Sequence, residues 1–182
     1  VRDHQKNSLD AKALIEDACE QKVRLVVLPE MFAGIGVLDQ VALAQSVFTQ
    51  DNLLNTIGSW AKQHNIYIVA GSVPYVCDEP NRVFSACFVF SPNGEIISQY
   101  NKIHLFDVDV NDEKGSYKES ATFFAGSTPR LSEIDGYKLG LSICYDLRFP
   151  ELYQTYQKLG CALITVPSAF TYETGKQHWE VL

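Results

Sequence analysis

Apolar positions along the chain fall into two spacings, and the changes between them mark out the elements. After Ser8, the residues Ala11, Leu14, Ile15 and Ala18 lie three and four apart, which predicts a helix with one apolar face beginning there. Residues 24–28 hold a short apolar run that predicts a buried strand, stopped by Pro29, with Glu30 just past its carboxyl end. Leu53, Leu54, Ile57, Trp60 and Ala61 return to helical spacing and predict a second helix ending near His64-Asn65. Residues 66–70 then read as another buried strand. Two strands, 83–90 and 95–100, flank Pro92-Asn93-Gly94, a hairpin signal.

Residues 101–129 have little periodicity, and so long a structureless stretch in a compact domain predicts a functional loop or an unread element. Asp135-Gly136 predicts a second hairpin between strands 131–134 and 137–143. In the later strand Tyr137, Leu139, Leu141 and Ile143 share one face by alternation. That strand runs into Cys144. A helix is expected from Pro150, striped by Leu152, Tyr153, Tyr156 and Leu159 and closed by Gly160. Residues 162–166 predict one more buried strand, stopped by Pro167. Helices alternating with buried strands and interrupted by hairpins predict an α/β fold with a mixed sheet, expected as a single domain over residues 1–182.

Composition changes this picture little. The chain is 46% hydrophobic and 20% charged, as for an ordinary globular protein. Its net charge of −7 argues against nucleic acid or an anionic membrane as a main partner. No apolar run reaches the length of a membrane span. Cys19, Cys77, Cys87, Cys144 and Cys161 are odd in number and have no paired spacing, which favours a reducing compartment and a cytoplasmic location.

Three residues carry complementary chemistry at predicted strand ends. Cys144 stands where an apolar strand gives way to a polar turn and then a helix, an arrangement that lifts a nucleophile out of a sheet. On local sequence alone, a small buried hydrophobe is the better reading of it. Glu30 reads as a solvated acid or as a proton carrier, and Lys102 as a surface lysine or as a cation that stabilises a reacting group. In α/β sheets, sites form outside the carboxyl ends of strands, so the three together point further than any one alone. His104, Asp107 and Asp109 match no closed ligand set, so a solvated loop is expected there and no metal. No cofactor is called for.

The segments Leu28-Pro29-Glu30-Met31-Phe32, Asn101-Lys102-Ile103-His104-Leu105-Phe106-Asp107 and Ser142-Ile143-Cys144-Tyr145-Asp146-Leu147-Arg148-Phe149-Pro150-Glu151-Leu152 resemble the three signature blocks of the nitrilase (carbon–nitrogen hydrolase) superfamily, in the order Glu, Lys, Cys. The likeness is to the amidase branch that includes deaminated-glutathione amidase and omega-amidase. It implies a four-layer αββα sandwich that dimerises through its helical faces. It also implies Cys144 as nucleophile, Glu30 as general base, Lys102 as the cation on the tetrahedral intermediate and the Tyr145 N–H as an oxyanion donor. Glu119, in Tyr117-Lys118-Glu119-Ser120, matches a second glutamate that positions the lysine and the substrate.

Arg148 reads either as a grip on a substrate carboxylate or as a scaffold partner of Asp146 or Glu151, with the scaffold reading ahead. His178, in Gln177-His178-Trp179-Glu180, fits the family pattern near the pocket rim without a catalytic part. The implied substrate is a small keto-acid carboxamide. Phe149-Pro150-Glu151-Leu152 and Pro167-Ser168-Ala169-Phe170 favour deaminated glutathione over alpha-ketoglutaramate or alpha-ketosuccinamate. A catalytically silent interaction module of the same fold is the alternative from another class. Members of the family also carry an apolar strand before the first helix and further elements after the His-Trp-Glu segment. These are expected to lie outside the 182 residues, leaving sheet edges and apolar faces uncovered.

Overall fold

The computed structural model describes residues 3–47, 52–109 and 115–182. Helix α1 spans His4–Glu20, five residues earlier than the expected start after Ser8. The reason is Asp3, whose carboxylate accepts from the N–H groups of Gln5 and Lys6 at 3.0 and 3.2 Å. Ser8 is interior to the helix, its hydroxyl bonded back to the His4 carbonyl at 2.8 Å. The buried stripe is Asn7, Ala11 and Ile15, spaced four apart. Leu14 turns away from it and is 69% exposed, against expectation.

Strand β1, Leu25–Val27, pairs in parallel with β2, Tyr67–Val69. Helices α2, Gln40–Val47, and α3, Leu53–His64, lie between them in sequence. Asn65 ends α3 in the left-handed conformation, as the sequence signal required. Strand β4, Val83–Phe90, pairs antiparallel with β2, with β3, Val73–Val76, and with β5, Ile96–Asn101. Two reversals make β5 run in the same direction as β1 and β2. Helix α2 and strand β3 have no counterpart among the sequence expectations.

The unread stretch contains a short hairpin of β6, Asp107–Asp109, and β7, Ser116–Lys118, followed by a 3₁₀ turn over Glu119–Ala121. Residues 110–114, also within that expected loop, lie outside the described residues. A second sheet is built from β8, Leu131–Ile134, β9, Tyr137–Leu141, and β10, Leu163–Thr165, with β10 parallel to β9. Asp135 and Gly136 both take positive φ, 47° and 83°, the two-residue turn that suits strand twist. Helices α4, Pro150–Lys158, and α5, Tyr172–His178, complete the order.

The layers follow from which faces are apolar. Ile15 of α1 and Ile57 and Trp60 of α3 pack with Ile68, Phe88 and Phe90 on one face of the five-stranded sheet. Val69, Cys87, Val89 and Tyr100 on its other face meet Leu139, Leu141 and Ile143 of the second sheet. On the far side of that sheet, α4 lays the Tyr156 ring over Gly140, where an added Cβ would come within 2.8 Å of the ring, and the Tyr156 hydroxyl donates to the Leu141 carbonyl. Helix, sheet, sheet and helix stack as expected. Strands β1 and β10 differ from the buried strands predicted for them. Each pairs on one side among the described residues, so Val27 is 42% exposed, and Leu163 and Ile164 are exposed as well.

Candidate active site

Strand direction brings the chemistry to one end of the molecule. Glu30 follows β1, Lys102 follows β5, Cys144 follows β9, and Ala169 follows β10, all beyond carboxyl ends. Gly71, held at φ +44°, lets the Leu28-Pro29 backbone pass directly over it, and this fixes where Glu30 emerges. The Met31 N–H on the other side of Glu30 donates to the Ser72 hydroxyl at 2.9 Å. Cys144 also takes a positive φ, 47°, which is unusual for a non-glycine residue and turns its side chain out of the strand. The Cys144 N–H donates to the Pro167 carbonyl at 2.9 Å and holds that turn.

Four side chains converge. The Lys102 ammonium, 2% exposed, donates to Glu30 Oε1 at 2.9 Å and to Glu119 Oε1 and Oε2 at 3.0 and 2.9 Å. Glu30 Oε2 accepts from the Ala169 N–H at 2.8 Å, and Glu119 Oε2 from the Phe106 N–H at 2.6 Å. Cys144, 7% exposed, lies beside this group on a cavity of about 330 Å³. Phe106, Tyr117, Phe123, Tyr145 and Phe170 give the cavity its apolar wall.

Burial disfavours a charged Lys102, but Glu30 and Glu119 outweigh it and hold the lysine above its ordinary value, hence cationic. Burial raises the Glu119 carboxyl, opposed by Lys102 and the Phe106 N–H. The Cys144 thiol is pushed up to about 12, first by burial and then by the Glu30 carboxylate, while Lys102 and the Ala169 N–H pull the other way. At neutral pH the thiol is therefore protonated, and its attack on a carbonyl requires an acceptor for the proton. A carboxylate, an ammonium and a thiol so arranged can move that proton and stabilise an oxyanion beside it.

Arg148 lines the same cavity. Its Nε is buried without a hydrogen-bond partner, and no ion pair joins it to Asp146 or Glu151 among the described residues. Asp146 is instead committed to Tyr100, His104 and the Ile143 N–H. This removes the scaffold partner expected for Arg148. The α5 side of the cavity is formed by Thr171 and Thr174, and His178, in the last turn of α5, is not among its lining residues. Among the described residues no group of three His, Cys, Asp or Glu side chains is placed to hold a metal ion. Asp107 accepts from the N–H and hydroxyl of Ser120.

Several contributors escaped the sequence reading. The Ala169 and Phe106 N–H groups are backbone donors, which side-chain identity does not reveal. Asp146 was visible beside Cys144, but only its partners disclose its place.

A carbon–nitrogen hydrolase family model matches residues 1–182. The chain is 40% identical over 181 residues to a deaminated glutathione amidase of Synechocystis, covering 97% of this chain and 65% of that protein. It is 38% identical over 175 residues to omega-amidase NIT2 of Danio rerio, covering 94% of this chain and 61% of that protein. The chain thus spans just under two thirds of the length of these relatives. The solved structure of the C. elegans NitFhit protein superposes with a TM-score of 0.84 at 35% identity, over 99% of this chain and 44% of that one.

Proposed function

The chain belongs to the carbon–nitrogen hydrolase family, and on that premise we propose that the protein is a cysteine amidase of small keto-acid carboxamides, with deaminated glutathione the preferred substrate. One observation carries the reading. Lys102 Nζ bridges the Glu30 and Glu119 carboxylates within 3.0 Å, beside the Cys144 thiol on a cavity wall.

In this reading Glu30 accepts the thiol proton as Sγ attacks the amide carbon. Lys102 and the Tyr145 N–H stabilise the oxyanion, and Glu119 keeps the lysine in place. The proton passes to the departing nitrogen, ammonia leaves, and a thioester remains on Cys144. Glu30 then takes a proton from water, which attacks the thioester. The C–S bond breaks, the acid product leaves, and Glu30 returns the proton to Sγ. Arg148, whose Nε has no hydrogen-bond partner among the described residues, supplies a cation for a substrate carboxylate, a contact stronger than a neutral hydrogen bond. The deaminated glutathione amidase relative supports this choice of substrate, and the omega-amidase relative makes alpha-ketoglutaramate the second candidate. The intact set of Glu30, Lys102 and Cys144 speaks against a silent interaction module.

Dimeric assembly and a cytoplasmic location are proposed from the family resemblance and the five unpaired cysteines. No helix among the described residues is long and apolar enough to cross a membrane. The test is ammonia release by the full-length protein from a panel of keto-acid amides and neutral amides. Turnover of the acidic amides, lost in Cys144→Ala, is expected. Turnover that survives in Cys144→Ala would sink the proposal.

A further inference from the structure

The two sheets pack mainly through apolar side chains, which are non-directional. The directional ties between them are few among the described residues: the Ser98 hydroxyl donates to the Leu131 carbonyl at 3.1 Å, and Arg24 pairs with Asp135 at 3.0 Å, neither of them at the lysine or the thiol. Lys102 is fastened to the first sheet and its flank: its N–H donates to the Ser85 carbonyl at 2.9 Å, and its carbonyl accepts from the Gly126 N–H at 2.8 Å. Cys144 is fastened to the second, through the Pro167 carbonyl. The lysine and the thiol thus belong to different layers. A misplacement of about 1 Å between such groups is enough to cost roughly a hundredfold in rate.

Asp146, two residues beyond Cys144, spans that gap. It is 0% exposed, and both carboxylate oxygens are fully engaged. Oδ2 accepts from the Tyr100 hydroxyl at 2.7 Å and the Ile143 N–H at 2.9 Å. Oδ1 accepts from the His104 N–H at 3.0 Å and faces His104 Nδ1 at 2.7 Å. Tyr100 and His104 lie two residues before and two after Lys102, and Ile143 directly precedes Cys144. The His104 ring is also stacked on Phe149, at 3.6 Å and 7°, where the nucleophile turn ends.

We propose that Asp146 is a positioning residue: by gripping both flanks of the Lys102 segment and the turn that carries Cys144, it sets the separation of lysine and thiol across the two sheets. This rests on the catalytic reading of Lys102 and Cys144. Hydrogen bonds to a carboxylate are short and directional, so donors converging from two layers specify one register. An asparagine of the same shape keeps one acceptor oxygen and turns an NH₂ group towards donors on the other side.

The experiment compares Asp146→Asn, Tyr100→Phe, Lys102→Ala and the Asp146→Asn/Lys102→Ala double variant in the full-length protein. Ammonia release from a keto-acid amide is measured well below each variant's Tm. Asp146→Asn is expected to lower kcat about a hundredfold with KM within about threefold, and Tyr100→Phe to lower kcat several-fold. The double variant should lose far less than the product of the single losses, because Asp146 acts through Lys102. A wild-type kcat in Asp146→Asn with only Tm reduced, or fully multiplicative losses, would overturn the proposal. Should Asp146→Asn not fold, an unchanged kcat in Tyr100→Phe overturns it instead. Wild-type turnover in Lys102→Ala would refute the catalytic reading itself, which is a separate failure.

Discussion

Gly71 lies so close under Pro29 that a Cβ added to it would come within 1.9 Å of the Pro29 carbonyl oxygen. The neighbour is backbone, so it cannot swing aside as a side chain would, and the φ of +44° also disfavours any L side chain. Gly71→Ala is therefore expected to destabilise the protein by about 2 kcal/mol or more and to lower kcat by moving Glu30. Denaturant unfolding and ammonia release check the two effects. A variant matching wild type in both would remove Gly71 from the support of the site.

The charged partners give a second expectation. Glu30→Gln keeps size but cannot carry a proton, and Lys102→Ala removes the cation from the oxyanion. Each should lower kcat at least about a hundredfold. Lys102→Ala should also cost stability, on the order of 3–5 kcal/mol, because it leaves two carboxylates buried without their cation. Unfolding curves and steady-state rates measured on both variants would show it, and near-normal kcat in either would reassign that residue.

The raised thiol sets a pH dependence. With the Cys144 thiol pushed up to about 12, its alkylation by iodoacetamide should keep accelerating above pH 9, where an ordinary thiol levels off. Glu30→Gln removes a group that raises it, so the levelling should move to lower pH. The stability effect has a definite sign. The folded value exceeds the unfolded one, so the contribution is whole below about pH 9 and is lost as pH rises towards about 12. Cys144→Ala should flatten unfolding free energy across that window, and alkylation followed by peptide mass spectrometry reads the rates.

Arg148 has a cavity position and an orphaned Nε, which favours a role on the substrate carboxylate. Arg148→Lys is expected to raise KM for an acidic amide about tenfold, since lysine lacks the planar fork. It should leave a neutral amide nearly unaffected. The ratio of kcat/KM for the two amides, measured in both proteins, decides the matter. An unchanged ratio would rule Arg148 out as the anchor.

Local chemistry was legible in the chain wherever the cause is local. The Asn65 cap, the Asp135-Gly136 turn, Pro150 at the start of α4 and the strand running into Cys144 all depend on neighbours in sequence. The three family blocks pointed to Glu30, Lys102 and Cys144 because a motif records residue type and order. Where a cap competed, the pattern misled: Asp3 captured the first turn of α1, and Ser8 became interior.

What the tertiary structure alone decided depends on partners far away in sequence. An apolar run is the same string of residues on an edge as in the middle of a sheet, so the exposure of β1 and β10 could not be read from it. Short β6 and β7 are too polar to show a period, and pairing with each other defines them. Asp146 looked available to Arg148 until Tyr100 and His104, more than 40 residues back, were found on its oxygens. Sequence settled which groups are present and which turns present them. The folded chain settled who faces whom, because hydrogen bonds and burial act through space rather than along the chain.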